Sequence, residues 1–280
     1  VDTVSSEVKP TQVEFEEVRG MAKLALEVAH DVALPAKLLA FMSWLELHPP
    51  EPKGPLISIV LATRDRPQPL RRAVASVVDQ RYRNWELIVV DDGTVPETRA
   101  VVEGAGDERL RLVEGPRKGL SAARNAGLAN LAGEIVCYCD DDNVMHPGWL
   151  HAVANVFAER ADVEIAYGVT IAEHRLPGEE GPEGWWPSFW QLPWSRRTLL
   201  EENVTDAGSL AHRSRIDARF DEDLTTGEDW DLLLRLTEHR EALAIPAVSH
   251  AYTMRGKTRM SDDAAHRAGL EEIRRRHAGG

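Results

Sequence analysis

The chain has 280 residues, 43% of them hydrophobic, and its 46 acidic side chains outnumber 33 basic ones for a formal net charge of −13. That length can bury a proper core in one large domain or two small ones. That charge excludes an electrostatic grip on nucleic acid or an anionic membrane, which needs clustered Lys and Arg. An acidic protein that takes an anionic ligand must use a metal ion or local donors. No apolar run approaches the roughly 20 residues of a membrane span, and no charged start with an apolar centre marks a signal peptide, so a cytoplasmic location is expected. Cys137 and Cys139, the only cysteines, share one face of an apolar strand and read as buried free thiols of a reducing compartment.

Residues 1–48 form an N-terminal helical extension. Val18, Met21, Ala22, Ala25, Val28, Ala29 and Val32 recur at helical spacing, which makes one apolar face. Pro35 breaks the pattern, and Leu38, Leu39, Met42 and Leu45 resume it in a second helix. This helical pair must pack on something: either the main domain, or a second copy or partner contacted through residues 13–47. Residues 49–55 are a proline-rich linker.

From residue 56 the rhythm changes. Residues 56–62 are an apolar strand of the kind buried on both faces, Thr63-Arg64-Asp65-Arg66-Pro67 is a turn, and residues 70–78 are a helix. A second strand, 85–90, closes on Asp91-Asp92-Gly93-Thr94; a helix at 96–102, a strand at 110–113, a glycine-bounded loop, a helix at 120–131 and a strand at 134–139 follow. Strands alternating with helices at this spacing predict an α/β domain over residues 56–261, with a mostly parallel sheet and helices on both faces.

The last of those strands runs into Asp140, Asp141 and Asp142, at the carboxyl edge where open α/β sheets bind ligands. Asp140 and Asp142 alternate on the strand period and lean to the same side. Carboxylates this close need a counter-ion. The expected one is Mg²⁺ or Mn²⁺, held by one or two carboxylates with substrate phosphates completing its shell; the alternative is a solvated acidic loop.

Further on, residues 147–160 are helical and 163–171 a strand, and then periodicity dissolves. Residues 178–194 carry Trp185, Trp186, Trp190 and Trp194 in what reads as a long loop. Those rings form either a platform that stacks an acceptor or a local aromatic core. A strand at 209–212 precedes Thr226-Gly227-Glu228-Asp229, which opens a helix lined by Trp230, Leu233, Leu234 and Leu236. A strand at 242–248, a polar basic loop at 250–261 and a charged C-terminal helix within residues 262–280 complete the chain. The Arg274-Arg275-Arg276 run reads as a solvated helix end.

Five blocks in chain order carry a resemblance: Ile57-Ser58-Ile59-Val60-Leu61-Ala62-Thr63, Glu86-Leu87-Ile88-Val89-Val90-Asp91-Asp92-Gly93-Thr94, Gly119-Leu120-Ser121-Ala122-Ala123-Arg124-Asn125-Ala126-Gly127, Asp140-Asp141-Asp142 and Gly227-Glu228-Asp229-Trp230-Asp231-Leu232. Over about residues 55–261 the chain resembles the inverting glycosyltransferases of family 2, whose GT-A fold is a Rossmann-like domain for nucleotide-diphospho-sugars. The resemblance implies that Ala62, Thr63, Arg64 and Asp92 lie against the nucleotide, with Asp92 accepting from the base. It implies Arg124 near the nucleotide or diphosphate, where a guanidinium suits phosphate; a helix-surface arginine is the alternative. Asp142 matches the metal ligand of the family's Asp-X-Asp motif, Asp140 its partner on ribose or metal-bound water, and Asp141 the middle residue.

Asp229 matches the catalytic base that strips the acceptor hydroxyl while a metal neutralises the departing diphosphate, with Glu228 as the substitute. Thr226 and Asp229 also make a capping pattern, and the helix dipole is expected to lower the pKa of Asp229. Tyr252-Thr253-Met254-Arg255-Gly256-Lys257 resembles a degenerate form of a late family segment. There Arg255 or Lys257 closes over the diphosphate, and His250 either approaches the metal or simply packs. Arg64-Asp65 stands where the family often has Tyr-Asn, which leaves base contacts and donor choice open.

The function these features predict is metal-dependent transfer of a sugar from a UDP or dTDP donor, with inversion. The acceptor is a glycan, a lipid-linked molecule or a natural product, with Trp185, Trp186 and Trp190 as its contacts. Two readings compete. Nucleotidyl transfer calls for a glycine-rich loop after the first strand, and residues 63–66 contain no glycine. A non-catalytic module recruited through residues 13–47 is disfavoured by the intact acidic blocks.

Overall fold

The computed structural model describes residues 33–48, 54–175, 185–253 and 264–277. The first expected helix, most of the proline linker, and Arg255 and Lys257 lie outside them. Among the described residues nine strands form one sheet: β1 (Ile57–Thr63), β2 (Trp85–Asp91), β3 (Leu110–Glu114), β4 (Ile135–Asp140), β5 (Asn143–Met145), β6 (Ile165–Arg175), β7 (Trp185–Trp190), β8 (Leu210–Arg213) and β9 (Ala242–Thr253). Their order is β3-β2-β1-β4-β8-β6-β9-β5, with β7 paired to β6. β1 to β4 are parallel to one another. β8 then runs antiparallel to both β4 and β6, while β6 and β9 pair in parallel.

The helices are α1 (Ala33–Leu47), α2 (Pro67–Val78), α3 (Glu97–Gly104), α4 (Leu120–Leu128), α5 (Trp149–Glu159), α6 (Arg196–Glu201), α7 (Glu228–Leu236) and α8 (Ala264–His277). Period-two alternation along the strands divides their side chains between two cores. Ile57, Ile59 and Leu61 pack with Leu70, Val74 and Val77 of α2 and with Trp149 and Val153 of α5. Val60, Val136 and Tyr138 turn the other way, onto Leu199 of α6, Trp230 and Leu233 of α7 and Ile273 of α8. Both thiols face the first core and are free, and burial raises their pKa values. The consequence for function lies in the register: Thr63 pairs with Asp91 and Ala62 with Asp140, so three acidic segments end on one edge.

Two expectations are revised. Residues 185–190 are strand β7, not loop, with Thr170 opposite Trp190 and Arg175 opposite Trp185. Tryptophan and phenylalanine favour a strand, and Pro187 is tolerated because, among the described residues, β7 pairs only with β6, leaving an edge that needs no N–H. Pro35 stands in the first turn of α1, where no intrahelical donor is lost, and the residues before Ala33 lie outside those described. Arg274 and Arg276 are not merely solvated, since Arg274 Nε donates to Glu201 O at 2.9 Å and Arg276 Nη1 to Asp221 Oδ2 at 2.9 Å.

α1 docks on the domain. Its Leu38 is buried with Val169, Ile171, Val248 and Ala251, and Leu45 joins the first core. α4 presses close on β1 through Gly127, where an added Cβ would overlap Val60 Cγ1. In an exposed helix, Gly→Ala gains roughly 1 kcal/mol. Here the sign should reverse: Gly127→Ala is expected to lose about 1–3 kcal/mol by overpacking, read as a lower denaturation midpoint at unchanged m-value.

Candidate active site

The carboxyl edge of β1, β2 and β4 is held in shape by its own acids. At the end of β1, buried Thr63 donates from Oγ1 to Asp141 Oδ2 at 2.7 Å. Arg66 forks across the triplet, with Nη1 on Asp141 Oδ1 at 2.6 Å and Nη2 on Asp142 Oδ2 at 2.7 Å. Asp141 is thus a buried, tied carboxylate rather than a spacer. Burial pushes its pKa up to about 6 against the pull of the Thr63 hydroxyl and Arg66. Asp142 is the open member, its side chain 40% exposed. β4 ends at Asp140 and the next two residues make a turn into β5, so Asp142 is placed by that turn and not by strand alternation.

Arg124, on α4, is 4% exposed and bridges two carboxylates: Nη2 meets Asp140 Oδ1 at 2.7 Å and Nη1 meets Glu228 Oε1 at 2.8 Å. Burial opposes its charge, but Asp140 and Glu228 outweigh it and hold the guanidinium above its ordinary pKa. It is a buried clamp between the end of β4 and the start of α7, not a helix-surface residue. Asp92 is equally engaged. Its two oxygens accept the backbone N–H groups of Arg117 at 2.5 Å and Gly119 at 3.0 Å, folding the loop before α4 back onto β2. Ala62 is buried beside this edge and Arg64 is exposed.

α7 opens at Gly227, whose φ of +69° makes it the N-cap in place of Thr226. Glycine is required there twice over, since a Cβ would also stand 2.5 Å from Ile273 Cδ1. Glu228 is buried against Arg124, and Asp229 is half-buried beside it. The expectation that the helix dipole lowers the Asp229 pKa is corrected. Burial and the charge of Glu228 push it up to about 7 despite Arg124, because a dipole at the start of a nine-residue helix is the weaker effect.

His250, on β9, is buried among polar groups: Ser249 Oγ lies 3.1 Å from its Nδ1, and Asp206 Oδ2 lies 3.5 Å from its Nε2 without a hydrogen bond. Burial disfavours its charge, yet Asp206, with Asp140 and Asp142 further off, raises its pKa. Asp206 is itself fixed by the Thr170 hydroxyl at 2.9 Å and the Ser209 N–H at 3.0 Å. Among the described residues no three His, Cys, Asp or Glu side chains stand together as a ready-made metal cage. Trp190 is half-buried, whereas Trp194 packs on the second core. Trp185 and Trp186 stand on β7 opposite Arg175 and His174.

Sequence reasoning passed over Asp65, Arg66, Asn143 and Asp206. Asp65 takes a left-handed φ of +54° and accepts the Thr94 and Val95 N–H groups at 2.7 and 3.0 Å, stapling the β1 and β2 loops together. Asn143 Nδ2 lies 3.4 Å from Asp140 Oδ2 and its buried Oδ1 has no hydrogen-bond partner. A charged turn was the available signal for Arg66, but its partners are 75 and 76 residues away.

Comparison with known proteins places the chain in a family. The profile of Glycosyl transferase family 2 matches residues 58–220. WcaA of Escherichia coli (strain K12) is 29% identical over 189 residues, 65% of this chain and 66% of its own length. The E. coli UDP-Glc:alpha-D-GlcNAc-diphosphoundecaprenol beta-1,3-glucosyltransferase WfgD is 32% identical over 90 residues, 32% of this chain and 36% of its own. The structure of S. aureus TarS 1-349 in complex with UDP-GlcNAc superposes with a TM-score of 0.60 at 18% identity, covering 78% of this chain and 65% of that one. The chain therefore shares the fold of TarS and spans less than two thirds of the length of each of these three proteins. Since the family profile runs from β1 through β8 and takes in more than half of the residues, the chain belongs to glycosyl transferase family 2.

Proposed function

We propose that the protein transfers a sugar from a nucleoside diphosphate, UDP or dTDP, to an acceptor nucleophile with inversion and with the help of a divalent cation. The observation that carries the reading is the juxtaposition made by Arg124: the acid triplet at the end of β4 and the Glu228-Asp229 pair at the start of α7 share one buried guanidinium. Inverting transfer needs one carboxylate that takes a proton on one side of the sugar and stabilisation of the leaving diphosphate on the other. Asp229 suits the first task. A carboxyl titrating near the working pH is a better base than one at 4, and its neighbour Glu228 is spent on Arg124. The name of WfgD, a family relative, specifies a UDP-Glc donor, and that supports UDP here.

The residues fit a hard cation. Two guanidiniums face the four carboxylates of Asp140, Asp141, Asp142 and Glu228, which leaves negative charge for a divalent ion to neutralise. Asp142 is open to solvent and the buried Nε2 of His250 lacks a hydrogen-bond partner. When bound, the ion would neutralise charge on the departing diphosphate. Asp142 and Asp140 would hold it, with His250 nearby; Ala62, Thr63, Arg64 and Asp92 would meet the nucleotide, and the phosphate contact expected of Arg255 lies outside the described residues. Trp185, Trp186 and Trp190 would line the acceptor side, where an aromatic edge strand offers ring faces to a glycan, a lipid-linked sugar or a natural product.

Calorimetric titration with UDP and Mn²⁺ tests the donor site. Asp142→Asn should abolish Mn²⁺-dependent binding, and tight metal-free binding by that variant would count against the reading. Asp229→Asn should bind the donor as the wild type does while turnover falls by about 10²–10⁴-fold. Because the raised pKa leaves Asp229 protonated below about 7, kcat/KM should climb with pH through an acid limb centred near 7. A limb near 4 would assign the base elsewhere.

A further inference from the structure

Arg66 has no part in the proposed transfer chemistry, yet it makes the most direct contact with the open acid of the site. Its backbone is fixed from both sides. Asp65 is stapled to the Thr94 and Val95 N–H groups, a staple that needs Gly93, where a Cβ would stand 2.5 Å from Asp65 Oδ1. Directly after Arg66, Pro67 begins α2. The side chain is otherwise free, being 48% exposed, and its two nitrogens rest on unlike partners: Asp141, 6% exposed, and Asp142, 40% exposed. The inner contact is an anchor, while the outer one is a solvent-screened pair of little strength.

We propose that Arg66 is the resident counter-ion of the acid triplet, competing with the divalent cation for Asp142 until a nucleoside diphosphate arrives, so that cation and nucleotide bind as a pair. The inference rests on the sugar-transfer reading above. Asp142 Oδ2 cannot both accept from Arg66 at 2.7 Å and bind an ion along the same lone pair, and a positive charge beside the site repels the ion. A diphosphate supplies new oxygens in a geometry that a planar guanidinium matches with two parallel hydrogen bonds. Arg66 can then turn from Asp142 to the phosphate without moving its backbone. The arrangement keeps the acids compensated while the site is empty, and it makes the cation's affinity depend on the donor.

The test is Mn²⁺ titration of the full chain by calorimetry, without nucleotide and with saturating UDP, on wild type, Arg66→Gln and Arg66→Lys. Wild type should bind Mn²⁺ weakly alone and much more tightly with UDP. Arg66→Gln should bind Mn²⁺ alone about tenfold more tightly, from removal of one nearby charge, and should lose most of the gain that UDP brings. Arg66→Lys keeps the charge without the two-pronged grip, so its Mn²⁺ affinity should rise by less, about threefold. If neither variant shows a rise, the proposal is overturned. Should wild type fail to bind Mn²⁺ and UDP even together, the sugar-transfer reading falls as well, which separates the two failures.

Discussion

A single buried guanidinium holds this site together. Arg124 is 4% exposed and reaches Asp140, 16 residues along the chain, and Glu228, 104 residues along. A charge that far inside is tolerable only because both ends of its fork meet carboxylates; removing one partner from such a pair typically costs about 3–5 kcal/mol. The pair fixes the distance between the acid triplet and α7. It also sets Glu228 beside Asp229, where burial and then that neighbour's charge make Asp229 a weak acid. Geometry and basicity at the proposed base therefore come from the same contact.

The edge of the sheet shows a second regularity: each acid has a different occupation. Asp65 and Asp92 accept backbone N–H groups and shape loops. Asp141 is tied to Thr63 and Arg66, and Asp140 to Arg124. Asp206 meets Thr170 and Ser209 beneath His250. The least engaged carboxylates are Asp142, with its open face, and the half-buried Asp229. A chain of formal charge −13 can thus present a site for a doubly anionic group, because its carboxylates there are largely paired before the ligand comes.

β7 and α1 lie on the side of the sheet away from β3. β7 extends the sheet from β6, and Phe189 packs with Met42 around the cluster of Leu38, Val169, Ile171, Val248 and Ala251. α1 is therefore joined to β6, β7 and β9 by a shared apolar cluster. Trp190 follows Phe189 on the strand, so its ring is turned to the opposite side, while Trp194 belongs to the core.

Much of this was legible in the residues alone. Apolar runs in β1, β2 and β4 announce strands buried on both faces, and alternation with helices announces the parallel half of the sheet; those are local patterns, set by side-chain period and turn chemistry. The five blocks, four of them acidic or glycine-containing, likewise marked the edge that carries the proposed site. The partners within that edge were not legible. Arg66 and Arg124 choose among several carboxylates, and the choice depends on distances between segments tens of residues apart, about which spacing says nothing. The pKa of Asp229 went the opposite way from the local rule because burial and Glu228, both products of packing, outweigh the dipole of its own helix. The tryptophan segment misled for a related reason: its prolines imply a loop until the neighbouring strand β6 is there to leave it an edge.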